Sequence, residues 1–243
     1  MRIVKRIIRW VLALFFGTTI LAVVFLRFIP VFITPLMVIR LVEQARNGEE
    51  LRMKHQWVSL EDMSLSLPVA VMASEDQHFL KHHGFDFDAI ERAAENNAEG
   101  KSMRGGSTIS QQTAKNVFLW PGRSWVRKGL ETYFTVLIEL VWSKQRIMEV
   151  YLNSIEMGDG IYGAEAVARE NFGCSAAELT RSDCALIAAT LPNPRKFSSK
   201  TPSEYMVKRK FQIMRQMRFI PLMPREGEDV DPSTVDGGIY KRE

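Results

Sequence analysis

The sequence predicts a mainly α fold preceded by one N-terminal transmembrane helix. Three observations predict it. Trp10 to Leu26 contains no charged residue. Further on, apolar residues recur at helical spacing, as in Leu130, Phe134, Leu137 and Val141. No strand series and no internal repeat is visible along the chain.

The anchor comes first. Seventeen helical residues from Trp10 to Leu26 span roughly 25 Å. That is slightly short of a hydrocarbon core of about 30 Å, and snorkelling of Arg9 and Arg27 extends the fit. Another apolar stretch follows from Phe28 to Ile39. Arg2, Lys5, Arg6 and Arg9 precede the span and favour a cytoplasmic N-terminus, with the bulk of the chain outside. A cleaved signal peptide is the competing reading, but the apolar core is long for one and no clear cleavage site follows. A buried core helix fits less well, because neither face of the segment is polar.

Beyond the anchor, Pro68 suits a first helical position, for a helix reaching about Leu80. A polar stretch from Glu91 to Arg104 leads to Gly105 and Gly106. Thr108 and Gln111 form a capping box for a helix to about Phe118. After the break at Trp120-Pro121-Gly122, a long helix is expected over 127–142. Ser143 caps another through Asn153. Met157 to Gly163 reads as a glycine-rich loop. Helices are expected near 164–171 and 182–191, the second ended by Pro192 and Pro194. A last amphipathic helix presents Val207, Phe211, Met214 and Met217 inward and a basic face outward. The expected organisation is a cytoplasmic stub and anchor over 1–40, one domain over 41–220 and a polar, acidic tail over 221–243.

The chain has 243 residues and a net charge of +4. Residues 1–30 carry five basic residues and no acidic one, which leaves the remainder at −1. The positive balance therefore belongs to the anchor, and nucleic acid is not an expected partner. Cys174 and Cys184 show no zinc-type spacing with histidine. A disulfide between them is allowed outside the cytoplasm, but Cys184 sits in an apolar run that suits a buried free thiol.

Three segments are polar where a helical core would be apolar. In Glu75-Asp76-Gln77-His78-Phe79-Leu80-Lys81-His82-His83-Gly84, residues Glu75, Phe79 and His82 are expected on one helix face. A partly buried Glu75 would be a better proton acceptor near neutral pH; an exposed helix end with a histidine cluster is the plainer reading. The second segment runs from Gly105 to Asn116. Its two glycines before a capped helix start suit an anion, with Gln112, Lys115 and Asn116 beside it. A capped helix after a flexible loop is the plainer reading, and no Walker sequence is present. In the third, Arg127-Lys128-Gly129-Leu130-Glu131, a carboxylate sits one helical turn from two cations, with Arg123 upstream. This suits a phosphate leaving group, or is a surface ion pair of little energetic weight.

In order, these segments resemble the motif set of the peptidoglycan glycosyltransferases, the family of monofunctional biosynthetic transglycosylases and of the N-terminal domains of bifunctional penicillin-binding proteins. Glu75, Asp76, Phe79, His82 and Gly84 match the first motif, and Gly105 to Lys115 match the second. Arg127, Lys128 and Glu131 match the third. A fourth is matched by Lys144, Ile147, Glu149, Tyr151, Leu152 and Asn153, and its helix has an apolar face that makes it mostly structural. The resemblance covers roughly residues 55–200. Asp183-Cys184 departs from the family's acidic residue followed by Ala, a matter of packing.

The resemblance implies a lysozyme-like helical lobe with a smaller jaw lobe near the membrane. It implies lipid II as substrate, the growing lipid-linked glycan as donor, and inversion at the sugar without a covalent intermediate. Glu75 is then the general base and Glu131, with Lys128, assists departure of the lipid pyrophosphate. A divalent cation (Mg or Mn) at Glu131 is part of that expectation. Asp76, Ser107, Thr108, Gln112, Lys115, Asn116, Arg123, Arg127 and Lys128 are the expected substrate contacts. Membrane lipids, and proteins of cell-wall synthesis or division, are the further partners it allows. No Ser-x-x-Lys or Lys-Thr-Gly occurs, so transpeptidation is not expected. Two other functions compete: a lysozyme-like glycan-cleaving enzyme, which needs no pyrophosphate cradle, and a non-catalytic cell-wall scaffold.

Overall fold

A computed structural model describes residues 2–89, 91, 106–122 and 124–224. Arg123, the Gly105 of the second motif, most of the polar stretch before it and the tail from 225 lie outside the described residues.

Helix α1 (Arg2–Leu26) is the apolar anchor, and it is long and apolar enough to cross a membrane. A second helix, α2 (Pro35–Asn47), follows where the sequence reading placed only an apolar stretch. Its signals were present: Pro35 occupies the first turn, the Thr34 hydroxyl accepts from Met37 N–H, and Gly48 closes the helix at φ 68°. The helix crosses the boundary placed at residue 40.

The centre of the fold is α3 (Ser66–Glu75), whose residues Leu67 to Ala73 are all buried. A helix buried all round is apolar all round. It starts two residues before Pro68 and stops at Glu75, five residues short of expectation. Asp76 leaves the helix at φ −160°, ψ 83°. Glu75, Phe79 and His82 therefore do not share a helix face. One core is shared by α3, α4 (Ile109–Phe118), α5 (Trp125–Val141), α6 (Lys144–Ser154), α7 (Ala164–Val167), α8 (Arg181–Thr190) and α9 (Glu204–Gln216); α3 packs mainly on α8 and α9, and α4 on α5 and α6. The expected caps are in place: Thr108 with Gln111 on α4, and Ser143 on α6. Ser124 and Thr180 cap α5 and α8. In α9 the buried residues are Met206 and Ile213, while the expected inward Phe211 is exposed. The apolar face is thus rotated by about one residue.

The segment expected as a glycine-rich loop forms short strands. Strand β1 (Lys54–His55) runs parallel to β3 (Ile161–Tyr162), which pairs antiparallel with β2 (Glu156–Gly158), giving the order β1-β3-β2. Gly160 allows the turn: at φ 66° a Cβ there would lie 2.5 Å from the Arg52 carbonyl oxygen.

The anchor is docked on the domain. Thr19 and Tyr133 share a hydrogen bond of 2.8 Å, and the Tyr133 ring packs on Phe15 and Phe16. Trp142 donates to the Val23 carbonyl at 2.8 Å. Arg146 donates to the carbonyls of Leu26 and Ile29, pairs with Glu149 and lies over Trp57. Leu26 is the last residue of the anchor helix and Ile29 lies just past it, so Arg146 supplies a donor to carbonyls beyond the helix's own ladder. Arg146→Ala should lower the melting temperature in detergent by about 5 °C, for a loss on the order of 2 kcal/mol. Arg146→Lys should recover only part of it, since an ammonium cannot reproduce the guanidinium fork.

Candidate active site

Glu75 is the last residue of α3, half-buried at the mouth of the helical body. It accepts a hydrogen bond from Gln112 Nε2 at 3.2 Å and another from the Ser74 hydroxyl at 3.1 Å. Burial pushes its carboxyl above the usual carboxylate range, against the opposing pull of these two donors and of the Arg209 charge. The charge of Asp76 pushes it further up.

Asp76 is buried and its carboxylate is fully engaged. His82 Nε2 lies 3.1 and 3.0 Å from its two oxygens, and Ile109 N–H donates to Oδ2 at 2.9 Å. Gly84 N–H donates to His82 Nδ1 at 3.1 Å, so Nε2 carries the proton given to Asp76. Asp76 thus fixes the start of α4 against the end of α3, which is positioning rather than the substrate contact expected. Phe79 is fully buried beneath the Lys144 ammonium, 4.6 Å from the ring centroid. Gly84, at φ 90°, lies where a Cβ would meet Thr135 Cγ2 at 2.9 Å. The first motif is therefore mostly a device for packing Glu75 into place.

At the start of α4, three of the N–H groups expected to be open to an anion are already committed. Ile109 N–H goes to Asp76, Thr108 N–H to Gln111 Oε1 and Gln111 N–H to the Thr108 hydroxyl. Thr108 also donates to the Gly84 carbonyl at 2.7 Å, so its side chain serves the helix cap. Ser107 is half-buried beside it, and Asn116 is almost wholly buried. The capping box and Asp76 together satisfy three of the donors at this helix start.

Cationic groups remain. The half-buried Lys115 is on α4, and its ammonium makes no hydrogen bond or ion pair among the described residues. Burial lowers its ammonium below the usual lysine range. Glu131 raises it against that trend, Arg127 and Lys128 lower it further, and Glu75 raises it. Lys115 thus feels both carboxylates, and it lies on the helix whose Gln112 bonds Glu75 and which packs on α5. On α5, Glu131 is 3% exposed. It accepts from Arg127 Nη1 at 2.6 Å and from the Lys128 ammonium. Arg127 Nε is buried without a partner among the described residues. Both Glu131 oxygens are taken by cations, and among the described residues no group of three His, Cys, Asp or Glu gathers to hold a metal. The donor set does not fit the divalent cation expected at Glu131. Arg123 lies outside the described residues.

Several contributors escaped the sequence reading. Tyr151 donates to Gln112 Oε1 at 3.1 Å from a fully buried position. Glu139 accepts from Ser110 and, at 2.8 Å, from Lys144, tying α4, α5 and α6 behind the site. Arg209 reaches Glu75 from α9. Tyr151 had a signal, since a tyrosine on an apolar helix face needs a partner for its hydroxyl.

Comparison with known proteins shows what the chain is similar to. The sequence profile of the Transglycosylase family matches residues 43–218. A "biosynthetic peptidoglycan transglycosylase" of Bacteroides thetaiotaomicron is 59% identical over 224 residues, covering 91% of this chain and 90% of that protein. Proteins of the same name from Caulobacter vibrioides and Bdellovibrio bacteriovorus are 55% and 50% identical. The first alignment covers 87% of this chain and 92% of the relative, the second 92% and 88%. The profile match over most of the chain and these similarities show that the chain belongs to the transglycosylase family.

Proposed function

We propose that the chain is a peptidoglycan glycosyltransferase that polymerises lipid II into β-1,4-linked glycan strands with release of polyprenyl pyrophosphate. The observation that carries this is the helix that joins the two carboxylates: Gln112 on α4 donates to Glu75, and one turn on, the half-buried Lys115 ammonium feels the charges of Glu131, Arg127, Lys128 and Glu75. A glycan-cleaving enzyme has no use for such a cationic group beside its acid.

Glu75 takes the proton from the sugar 4-hydroxyl of the acceptor. The oxygen then forms a bond to the anomeric carbon of the donor, from the face opposite the leaving group. The carbon–oxygen bond to the lipid pyrophosphate breaks, and configuration inverts. Charge developing on the pyrophosphate is met by Lys115, Arg127 and Lys128, fixed before the reaction and partly shielded from water. Glu131 acts by holding Arg127 and Lys128 in that arrangement. No step requires a resident metal ion.

The anchor spans the cytoplasmic membrane once, with its basic end inside and the domain outside. Exposed Phe28 and Phe32 just past the anchor, and exposed Trp125 and Leu140 on the helix that bonds it, support a position at the bilayer surface, where the lipid-linked substrate lies. The growing glycan and membrane lipids are the partners in this reading.

Purified full-length protein in detergent should convert lipid II into long glycan strands. Its rate should follow a bell-shaped pH profile. The acidic limb, where Glu75 gains a proton, should lie above the usual carboxylate range; the alkaline limb, where Lys115 loses one, should lie below the usual lysine range. Lys115→Met should reduce polymerisation about 100-fold and remove the alkaline limb. Release of fragments from finished cell wall without polymer synthesis would instead favour a cleaving enzyme.

A further inference from the structure

Behind Glu75 runs a chain of three side chains from three helices. The Tyr151 hydroxyl on α6 donates to Gln112 Oε1 at 3.1 Å, and Gln112 Nε2 on α4 donates to Glu75 Oε2 at 3.2 Å. We infer that Tyr151 is a positioning residue for the base, holding the Gln112 amide with its N–H₂ toward Glu75 so that the carboxylate is kept ready to accept a proton. This rests on the reading of Glu75 as general base.

The direction of the chain is fixed by burial. Tyr151 is fully buried, and its hydroxyl keeps its proton, because burial first and then the charges of Glu75 and Asp76 push its ionisation well above the usual tyrosine range. It therefore has a proton that must be donated somewhere. The Gln112 carbonyl takes it. If the amide turned over, the hydroxyl would accept from the amide N–H₂, and its own proton would be left unpaired in the interior, a costly arrangement. The turned amide would also present its carbonyl to Glu75, which only a protonated carboxyl can satisfy. In the observed orientation the hydroxyl polarises the amide and strengthens the N–H that supports the ionised base.

The other groups around Glu75 do not supply this control. Ser74 donates to the opposite oxygen, Oε1, from the same helix. Arg209 on α9 and Lys115 on α4 act through charge, and Asp76 opposes ionisation. None of them sets the orientation of the Gln112 amide.

The test is Tyr151→Phe in full-length protein, with kcat/KM for lipid II measured across pH in detergent. The acidic limb should move to higher pH. At a pH on that limb the variant should be about five-fold slower than wild type, and on the plateau within about two-fold. Tyr162→Phe is the comparison: it removes another buried hydroxyl, one with no partner among the described residues, and should leave the profile unmoved. Gln112→Met removes the same donor to Glu75 by a second route, and should move the limb in the same direction if Tyr151→Phe does not fold. Alongside, the carboxyl band of Glu75 is titrated by infrared difference spectroscopy, assigned by its absence in Glu75→Gln. A band and a limb that both move upward are the expected result. A band that moves while the limb stays would keep the relay and remove Glu75 as base. A band unmoved in every folded variant overturns the inference.

Discussion

Glu75→Gln should abolish lipid II polymerisation, with a loss on the order of 1,000-fold or more, while leaving the protein folded and more stable. The two effects have one origin. Burial holds the Glu75 carboxyl above its usual range. The folded protein then binds the Glu75 proton more tightly than the unfolded chain does. As pH rises from the unfolded to the folded ionisation range, this group withdraws stability, and at neutral pH the withdrawal is felt. Glutamine removes the ionisation and keeps the shape, so the melting temperature near pH 7–8 should rise by about 2–4 °C. Near pH 4, where the wild-type carboxyl is already neutral, the difference should vanish. Thermal melts of both proteins at the two pH values, with a polymerisation assay at the higher one, check the prediction. Glu75→Gln protein that is fully active would remove the proposed base.

The second large effect is expected at Glu131. Its two oxygens hold Arg127 and Lys128, and its side chain is 4% exposed. Glu131→Gln keeps the volume but removes the counter-charge from two neighbouring cations. Arg127, itself mostly buried, is then left facing Lys128 and Lys115 without compensation. Polymerisation should fall about 100-fold, chiefly in kcat, because the cations no longer stand where the leaving pyrophosphate gains charge. The fold should lose about 1–3 kcal/mol, less than for a fully buried pair, since Lys128 is 42% exposed. Steady-state kinetics with lipid II and chemical denaturation measure the two effects separately. Adding Mg²⁺ should not restore the lost activity, because a soluble cation cannot replace the counter-charge that Arg127 and Lys128 have lost.

What the sequence made legible was local. Two helix starts announced themselves through side chains that bond within three residues, Thr108 with Gln111 and Ser143 with Arg146, whereas the Ser124 cap went unread and that helix begins two residues earlier than expected. The mainly α class and the anchor followed from apolar periodicity and from an uncharged run, both properties of short windows. Site residues became legible through motif order, which identifies positions without saying what each side chain does there. Asp76 and Thr108 looked like substrate contacts and proved to be committed to Ile109, His82 and Gly84.

What stayed hidden depended on partners far along the chain. The end of α3 at Glu75 is decided by Asp76 turning toward Ile109, 33 residues away. The strands from 156 to 162 are two and three residues long, below any useful period, and β1 contributes a partner from residues 54–55. The docking of the anchor joins residues more than 100 positions apart, as in Trp142 with Val23. Tyr151 lay inside a motif read as structural. That reading was right about its burial and missed the hydroxyl's route, through Gln112, to Glu75.

The central claim is that Glu75 and the cations of α4 and α5 serve one reacting centre. The most direct measurement is an experimental structure of full-length Glu75→Gln protein with lipid II bound. The expected result places a pyrophosphate in hydrogen-bond contact with Lys115, Arg127 or Lys128, and a sugar 4-hydroxyl roughly 2.6–3.2 Å from the side chain at position 75. A pyrophosphate bound away from these three cations, or a sugar hydroxyl held by some other carboxylate, would contradict it.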